Sequence, residues 1–520
     1  MRIIVVVYNF GVISMRSLTE IEQNRLAKLE RLQERGESPF PHRAERTHSI
    51  AMATQYFSER SSDKEENEEN GLEITLCGRL RAVRTMGKLA FAHIEDVSGR
   101  IQLLLRADAI GKDRLKQFES DFDLGDIVQV TGKLMETRTG EVTLDLSGFR
   151  MLAKSISPLP AAKEVDAEGD RKVYSAFDNV EARYRERYAD LAINPHVREI
   201  FRVRSRVVSA LRSFLDKRDF LEVETPVLQP IYGGAAARPF STHHNQLHQD
   251  LFLRISFELY LKRLLVGGFE RVYEIGRDFR NEGVSLTHNP EFTQLEFYWA
   301  YADYEDVMQM TEQMVAFVAK KVCNSPLVTY QGHQLNFHPP WRRVSLRDAL
   351  AEYSDIDYVA CSANQLASHF KSRGLKVPSD ATRGKLIEML FSKYVEPHFI
   401  QPTFVYDYPR DISPLAKTKE DDSDTVERFE VFVGGLELCN AFTELNDPID
   451  QEQRFLDMGG NHDKDSGEAH PLDLDYLKAM SYGMPPNGGF GMGVDRLVML
   501  LTDQSSIREV ILFPHLRSKE

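Results

Sequence analysis

The stretch "RDFRNEGVSLTHNPEFTQLEFYWAY", residues 277–301, sets a polar, arginine-bearing turn between two apolar runs, "ERVYEI" at 270–275 and "EFTQLEF" at 291–297. Successive side chains of a strand point to opposite faces. Phe292, Gln294, Glu296 and Tyr298 therefore share one face, and Leu295, Phe297, Trp299 and Tyr301 the other. The second face is apolar and belongs in a core, so the first lines a cleft. There the Glu296 carboxylate and the Tyr298 hydroxyl offer acceptors to a cation such as an ammonium group. Periodicity alone leaves a second account open, in which Glu296 is a structural acid met by an arginine. Arg280, Glu282 and His288 occupy the turn, and the planar fork of an arginine suits phosphate or carboxylate.

A second acidic stretch, "RFEVFVGGLELCNAFTELND", spans 428–447. Glu430 and Glu437 are an odd number of positions apart and would face opposite ways on one straight strand. A two-residue hairpin loop at Gly434-Gly435 changes this, pairing Val433 with Leu436, Phe432 with Glu437 and Glu430 with Cys439. Both carboxylates then lie on one face. They repel unless a cation lies between them, and hard oxygen ligands together with phosphate suit Mg²⁺. An exposed acidic hairpin is the competing account.

Near the C-terminus, "GGFGMGVDRLVMLL" (488–501) runs glycines into an apolar helix with Arg496 near its start. No βαβ unit with a spaced acidic residue surrounds it, so a dinucleotide-binding fingerprint is not supported. Close approach of backbone to a nucleotide is the better use of these glycines. His243, His244 and His248 in "STHHNQLH" do not suggest a metal centre, because adjacent histidines on a strand point apart.

The remaining chain frames these segments. With 520 residues, 42% hydrophobic and 28% charged, it is long enough for several domains and a sizeable core. Its four cysteines, Cys77, Cys323, Cys361 and Cys439, lie far apart, which suggests neither a metal knuckle nor a disulfide framework and fits a reducing cytoplasm. The apolar start "MRIIVVVYNFGVISM" is too short to span a bilayer and lacks a small-residue cleavage site. It reads as a frayed tail, or translation begins at Met15. A net charge of −14 argues against indiscriminate polyanion binding, although local basic patches can still bind nucleic acid.

Residues 1–70 read as an extension, a basic amphipathic helix at 15–35 and an acidic linker at 58–70. Arg25, Lys28, Arg31 and Arg35 of that helix either pair with acids or contact RNA. From 71 to 155 five short alternating runs and one helical stretch, 108–121, predict a small closed barrel of the OB type. Residues 156–175 read as a linker. The rest, 176–520, has a long arginine-rich helix at 195–219, further helices at 305–321 and 383–395, and no regular βαβ alternation. It is expected to be an α+β domain with an antiparallel sheet flanked by helices.

"FLEVETPVL" (220–228), "FRNEG" followed by "HNPEFTQLE" (279–296) and "GFGMGVDR" (489–496) together resemble motifs 1, 2 and 3 of the class II aminoacyl-tRNA synthetases. With the barrel, "GGAAARPF", "THHNQL", "ELYLKRLLVGGFERVYEIGRDFRNEG" and "ELCNAFTELNDP" are most similar to the lysine-specific branch of that class, over about residues 15–515. An acidic pocket agrees, since it selects a basic side chain. The resemblance implies that Glu296, Tyr298 and Glu444 hold the lysine ε-ammonium, that Gly234 and Glu258 meet the α-amino end, and that Arg280 and Asn440 address the carboxylate. It implies an ATP site of Arg280, Glu282, His288, Asn289, Phe292 and Arg496, with Arg280, Glu282 and Arg496 taking part in catalysis. Mg²⁺ would sit at Glu430 and Glu437 and zinc would be absent. Arg79, Arg84 and Lys88 beside Phe91, with Gln102, would meet anticodon bases of tRNA(Lys). A Phe91 in the barrel core is the alternative.

A cytoplasmic homodimer joined through motif 1 and its Pro226, without membrane attachment, is implied as well. Two rivals share the fold: a relative that lysylates protein, which would lack the barrel, and an inactive RNA-binding regulator, which would not need Arg280, Glu430, Glu437 and Arg496. "SFE" at 256–258 departs from the usual Ala-Pro-Glu, and Leu436 replaces a polar or basic residue. In a regular strand Asn440 and Glu444 would face away from Glu437, so their convergence requires a bulge.

Overall fold

The computed structural model describes residues 18–62, 72–160, 162–167, 170–175, 177, 179–354, 356–378, 381–461 and 471–518. The expected tail at 1–14, the first residues of the basic helix and most of the acidic linker lie outside them. The chain forms two compact units that divide at Asp178 and Asn179.

In the first unit, alternating inward residues close five strands into a barrel: Glu73–Met86, Leu89–Glu95, Arg100–Arg106, Ile127–Glu136 and Val142–Ala153. Ile74, Leu76, Ala90, Ala92, Ile94, Leu103, Val128, Val130 and Leu144 fill it. The stretch predicted as one helix is two, Ala107–Ile110 and Lys112–Asp121, because Gly111 breaks it at φ 91°. Two further readings are corrected. A helix, Ile50–Ser62, runs into the span read as linker, and the span after the barrel carries a hairpin, Ala162–Ala167 with Asp170–Ser175.

The basic helix is Glu20–Glu34, started by a capping box between Thr19 and Glu22. Its three cations and Arg35 at its C-cap are all engaged inside the unit. Arg25 donates to the Ser155 carbonyl at 2.8 Å, Lys28 meets Asp123 at 2.7 Å, and Arg31 and Arg35 both grip buried Asp121. That outcome favours internal pairing over RNA contact for this face.

The second unit is built on an eight-stranded sheet in the order Arg342–Ser345, Thr403–Pro409, Thr425–Val433, Leu436–Thr443, Asn487–Gly493, Glu291–Ala300, Arg271–Phe279 and Leu221–Glu222. Its inner pairs are antiparallel as expected, but each edge strand adds in parallel. Helices Pro195–Asp216, Tyr304–Cys323 and Val494–Leu501 cover one face. Their apolar stripes pack Leu211, Phe214, Met314, Val318 and Leu497 against Leu295, Phe297, Val431, Ala441 and Phe490. Trp299 also packs there, but Tyr301, expected to join it, lies past the strand end in the left-handed region at φ 65° and is exposed. The opposite face, covered in part by helices Glu258–Val266 and Arg383–Tyr394, carries the residues that line the cavity.

Gly132 sits at a register shift of the barrel, where a Cβ would lie 2.1 Å from the Asp145 carbonyl oxygen. Gly132→Ala is expected to destabilise the first unit by about 3 kcal/mol, because backbone must move to admit the methyl group. A denaturation midpoint matching the wild type would refute this.

Candidate active site

Seen from the sheet, strand Glu291–Ala300 points Phe292, Gln294, Glu296 and Tyr298 into a cavity of about 390 Å³. Every site residue expected in the second unit lines it: Gly234, Glu258, Arg280, Glu282, His288, Asn289, Phe292, Glu296, Tyr298, Glu430, Glu437, Asn440, Glu444 and Arg496.

Glu296 is buried and, among the described residues, no arginine forms an ion pair with it. Its Oε1 accepts from the Ser256 hydroxyl at 2.8 Å, Gln294 Nε2 at 2.9 Å and the Phe257 amide at 3.3 Å, while Oε2 accepts from the Tyr298 hydroxyl at 3.2 Å. Two more buried carboxylates share this end of the cavity, Glu258 and Glu444. Burial pushes all three carboxyls up, Glu296 and Glu444 far above the usual carboxylate range; Asp278 and Glu258 add to the rise at Glu296, while Lys262 pulls Glu258 and Glu444 back down.

Beside its expected place at the ammonium site, Glu444 has an internal partner: Lys262 Nζ touches its Oε2 and lies 2.6 Å from Glu258 Oε1. Among the described residues neither Glu444 oxygen has a hydrogen-bond partner of ordinary geometry, Oε2 being met only by the Lys262 ion pair and Oε1 by no cation. Glycine at 489 makes room for it, since a Cβ there would lie 1.8 Å from Glu444 Oε1 and 2.6 Å from Tyr298 Cε1. At Gly234, φ is 85°, and a Cβ would press on Glu258 and Ser256.

The hairpin pairs Val433 with Leu436 and Phe432 with Glu437 as predicted, around Gly434 and Gly435 in left-handed conformations. Beyond that point the pairing differs. Val431 faces Cys439 and Glu430 faces Asn440, not Cys439, because Leu438 is an extra residue in its strand. This is the bulge that convergence required. It leaves Glu430 and Glu437 on the cavity face and turns Asn440, Phe442 and Glu444 to that same face.

Arg428 Nη2 donates to Glu430 Oε1 at 2.6 Å, its Nε to Asn440 Oδ1 at 2.9 Å, and the Tyr408 hydroxyl to Glu430 Oε2 at 2.8 Å. Burial pushes Glu430 up to about 7 against the pull of Arg428, with Glu437 adding to the rise. Burial would raise Glu437 too, but Arg496 outweighs it and holds that carboxyl below its usual range. Two carboxylates without a third ligand match Mg²⁺ that keeps its waters and is completed by substrate phosphates. Among the described residues, no three His, Cys, Asp or Glu converge as a self-sufficient metal site. His243 instead meets Asp250 at 2.7 Å on an exposed hairpin.

Arg280 stacks over the Phe292 ring at 5.1 Å. Arg496 Nη1 donates to the Glu437 carbonyl at 2.6 Å and its Nη2 lies 3.2 Å from His288 Nε2. Burial and Arg496 lower the His288 pKa, which keeps the imidazole neutral beside the two arginines. Asn289 donates to the Glu291 carbonyl at 2.6 Å while its Oδ1 is buried without a partner.

Sequence reasoning missed Ser256, Lys262, Gln294, Arg428 and Asp495. Asp495 grips Arg204 and accepts from the Thr293 amide at 2.7 Å, pinning the last helix to the central strand. Periodicity did place Gln294 on the cavity face, but its hydrogen bond to Glu296 requires coordinates. The SFE departure does shape the cavity, since Ser256 lines it and the Ser256 hydroxyl and the Phe257 amide both donate to Glu296 Oε1, the second a bond that a proline at 257 could not make, whereas Leu436 does not line it. Phe257 packs behind Tyr298 with Leu261, Leu265 and Val272 and carries the Arg254 guanidinium 4.1 Å above its ring, and Leu436 packs against the main core.

On the barrel, Phe91 points outward while Ala90, Ala92 and Ile94 fill the interior. Arg84 pairs with Phe91, and Gln102 faces His93 on the adjoining strand. Gln102 also donates to Glu141 at 2.8 Å and accepts from Thr143 at 2.9 Å. Arg79 is not free for this patch, since it donates to the Gly125 carbonyl at 2.8 Å.

The family described as tRNA synthetases class II (D, K and N) matches residues 179–517, and the OB-fold nucleic acid binding domain matches 74–156. The lysine–tRNA ligase of Roseiflexus sp. (strain RS-1) is 51% identical over 505 residues, 97% of this chain and 100% of that protein. The lysine–tRNA ligase of Chloroflexus aurantiacus is 49% identical over 96% of this chain and 99% of its own length, and that of Carboxydothermus hydrogenoformans 48% over 97% and 99%.

Beneath the cavity, burial pushes Asp278 up to about 7, against the pull of Arg280 and Arg254. Its unfolded value is about 3.9. The folded chain thus holds an extra proton between these values, and this group's contribution to stability falls as pH rises through that window. Asp278→Asn is expected to flatten the decline of melting temperature between about pH 4 and 7. An unchanged slope would sink the assignment.

Proposed function

The chain belongs to the class II tRNA synthetases of the D, K and N group, and from that premise we propose that it is a lysine–tRNA ligase. It activates L-lysine with ATP to lysyl-adenylate and pyrophosphate, then transfers lysine to the 3′ end of tRNA(Lys). The observation that carries the choice of amino acid is the buried group of Glu258, Glu296 and Glu444, which suits two ammonium groups and repels an acidic side chain.

In this reading Glu296, Tyr298 and the open oxygen of Glu444 receive the ε-ammonium, while Gly234 and Glu258 take the α-amino end. Arg280 and Asn440 orient the carboxylate toward the α-phosphorus. The stacked Arg280 and Phe292, with Glu282, neutral His288, Asn289 and Arg496, form the nucleotide site. Mg²⁺ bound by Glu430 and Glu437 with ATP would neutralise phosphate charge. The lysine carboxylate attacks the α-phosphorus in line as pyrophosphate departs, and the terminal ribose hydroxyl of tRNA then takes the lysyl group. Alignment of the two reactants and fixed positive charge supply the rate, so no side-chain nucleophile is needed.

Arg84, Phe91 and Gln102 on the outer barrel face are suited to stacked anticodon bases. A homodimer is supported by motif 1, where Leu221, Val227 and Leu228 stay exposed around Pro226. Translation places the enzyme in the cytoplasm. No described helix is long and apolar enough to cross a membrane.

The deciding experiment is ATP–pyrophosphate exchange with lysine, arginine, ornithine and aspartate. Lysine should support exchange. Glu296→Gln and Gly489→Ala should raise the lysine KM by about two orders of magnitude with ATP KM unchanged, because each removes or fills the ammonium site. Exchange driven by another amino acid would overturn the substrate assignment. Phe91→Ala should leave exchange intact and lower kcat/KM for tRNA charging by about tenfold to a hundredfold. Light scattering should find a dimer in the wild type and monomer in Leu228→Glu; a monomeric wild type contradicts the interface.

A further inference from the structure

Lys262 lies behind the wall of the cavity, fully buried on helix Glu258–Val266. One turn from Glu258, it spans to Glu444 just beyond the strand Leu436–Thr443. The rings of Phe442 and Tyr476 flank Nζ at 5.7 and 5.9 Å. Burial opposes its charge, but the two carboxylates outweigh it and keep the amine an ammonium. An acidic, aromatic surround of this kind would equally suit the ε-ammonium of a lysine ligand.

The division of oxygens is specific. Lys262 takes Oε1 of Glu258 and Oε2 of Glu444. Glu444 Oε1 stays unpartnered over Gly489 and beside Tyr298, at the cavity. Three carboxylates and one internal ammonium leave two negative charges unmatched. L-lysine brings two ammonium groups, and its own carboxylate is assigned to Arg280.

We propose that Lys262 is a positioning and specificity-determining residue: a built-in counter-ion that holds one oxygen of Glu258 and one of Glu444, leaving a pocket that takes amino acids bearing two ammonium groups. This rests on the lysine-activating reading. Without the internal ammonium, Glu258 and Glu444 repel each other, one carries a proton, and Glu444 is no longer turned to the ligand.

The test compares wild type, Lys262→Met and Lys262→Arg in ATP–pyrophosphate exchange. Lys262→Met is expected to raise the lysine KM by about 50-fold to 100-fold, with kcat at saturating lysine within a few-fold and the ATP KM unchanged. The KM should also fall more steeply with rising pH than in wild type, because the freed carboxyls must lose their protons before lysine binds. Lys262→Arg, which keeps the charge, should restore part of the affinity.

Should Lys262→Met be recovered unfolded, Glu444→Gln and Lys262→Met/Glu444→Gln supply the comparison, since the partner charge is then gone. The double variant should bind lysine no worse than Glu444→Gln alone. A lysine KM matching wild type, parallel rises in the KM values of lysine and ATP, or strict additivity in the double variant would overturn the proposal. Absence of lysine-dependent exchange in wild type would instead remove the premise, a result distinguishable from an active wild type matched by Lys262→Met.

Discussion

Three buried carboxylates, Glu258, Glu296 and Glu444, line one cavity, and only two of them share an internal ammonium, that of Lys262. An unpaired charge moved from water to a protein interior costs several kcal/mol even after relaxation. The surrounding fold is organised to limit that cost. Glu296 draws hydrogen bonds from a hydroxyl, an amide side chain, a backbone amide and a phenol, and Glu258 and Glu444 share Lys262. What remains uncompensated is an attraction for cations confined to the inner end of one cavity.

That residual field also sorts the two ends of the site. The acids Glu258, Glu296 and Glu444 sit deep, whereas Arg280, Arg496 and neutral His288 lie where phosphate charge would be placed. Arg428 marks the border between them. It donates to Glu430 on the phosphate side and to Asn440, which begins the amino-acid side. A zwitterionic amino acid bound with its ammonium groups inward thus presents its carboxylate outward, toward the arginines. On the proposed assignment, the gradient of charge along one sheet face would orient the substrate before any single contact is made.

Much of this was legible in the sequence because its carriers obey short-range rules. The two-residue period of 291–300 separated the core side chains from the cavity side chains, and Gly434-Gly435 announced a hairpin whose first two pairs are as expected. Legibility failed where one residue shifts the count. Leu438 is an insertion in the ladder that no local signal marks, and it moved Glu430 opposite Asn440. Tyr301 left the strand by a left-handed turn, which alternation does not foresee. Lys262 was overlooked for a different reason. A Glu and a Lys one turn apart read as an ordinary exposed helical pair, and only the tertiary approach of Glu444 shows that this pair is buried.

The Leu438 bulge is the link between the two halves of the site. Without it, alternation from Glu437 would send Asn440, Phe442 and Glu444 into the hydrophobic layer now filled by Cys439 and Ala441. A carboxylate there would face Val431 and Phe490 with no partner. With it, one strand supplies a carboxylate to the phosphate end and another to the ammonium end, separated by Asn440, all on the same face. The glycines of the neighbouring strand complete the arrangement, since Gly489 leaves space for Glu444 and Gly491 lies against Gln294 and Glu296. An irregularity of one residue, paired with a strand that lacks side chains at these positions, therefore lets a single sheet face carry buried carboxylates at one end of the cavity and arginines at the other.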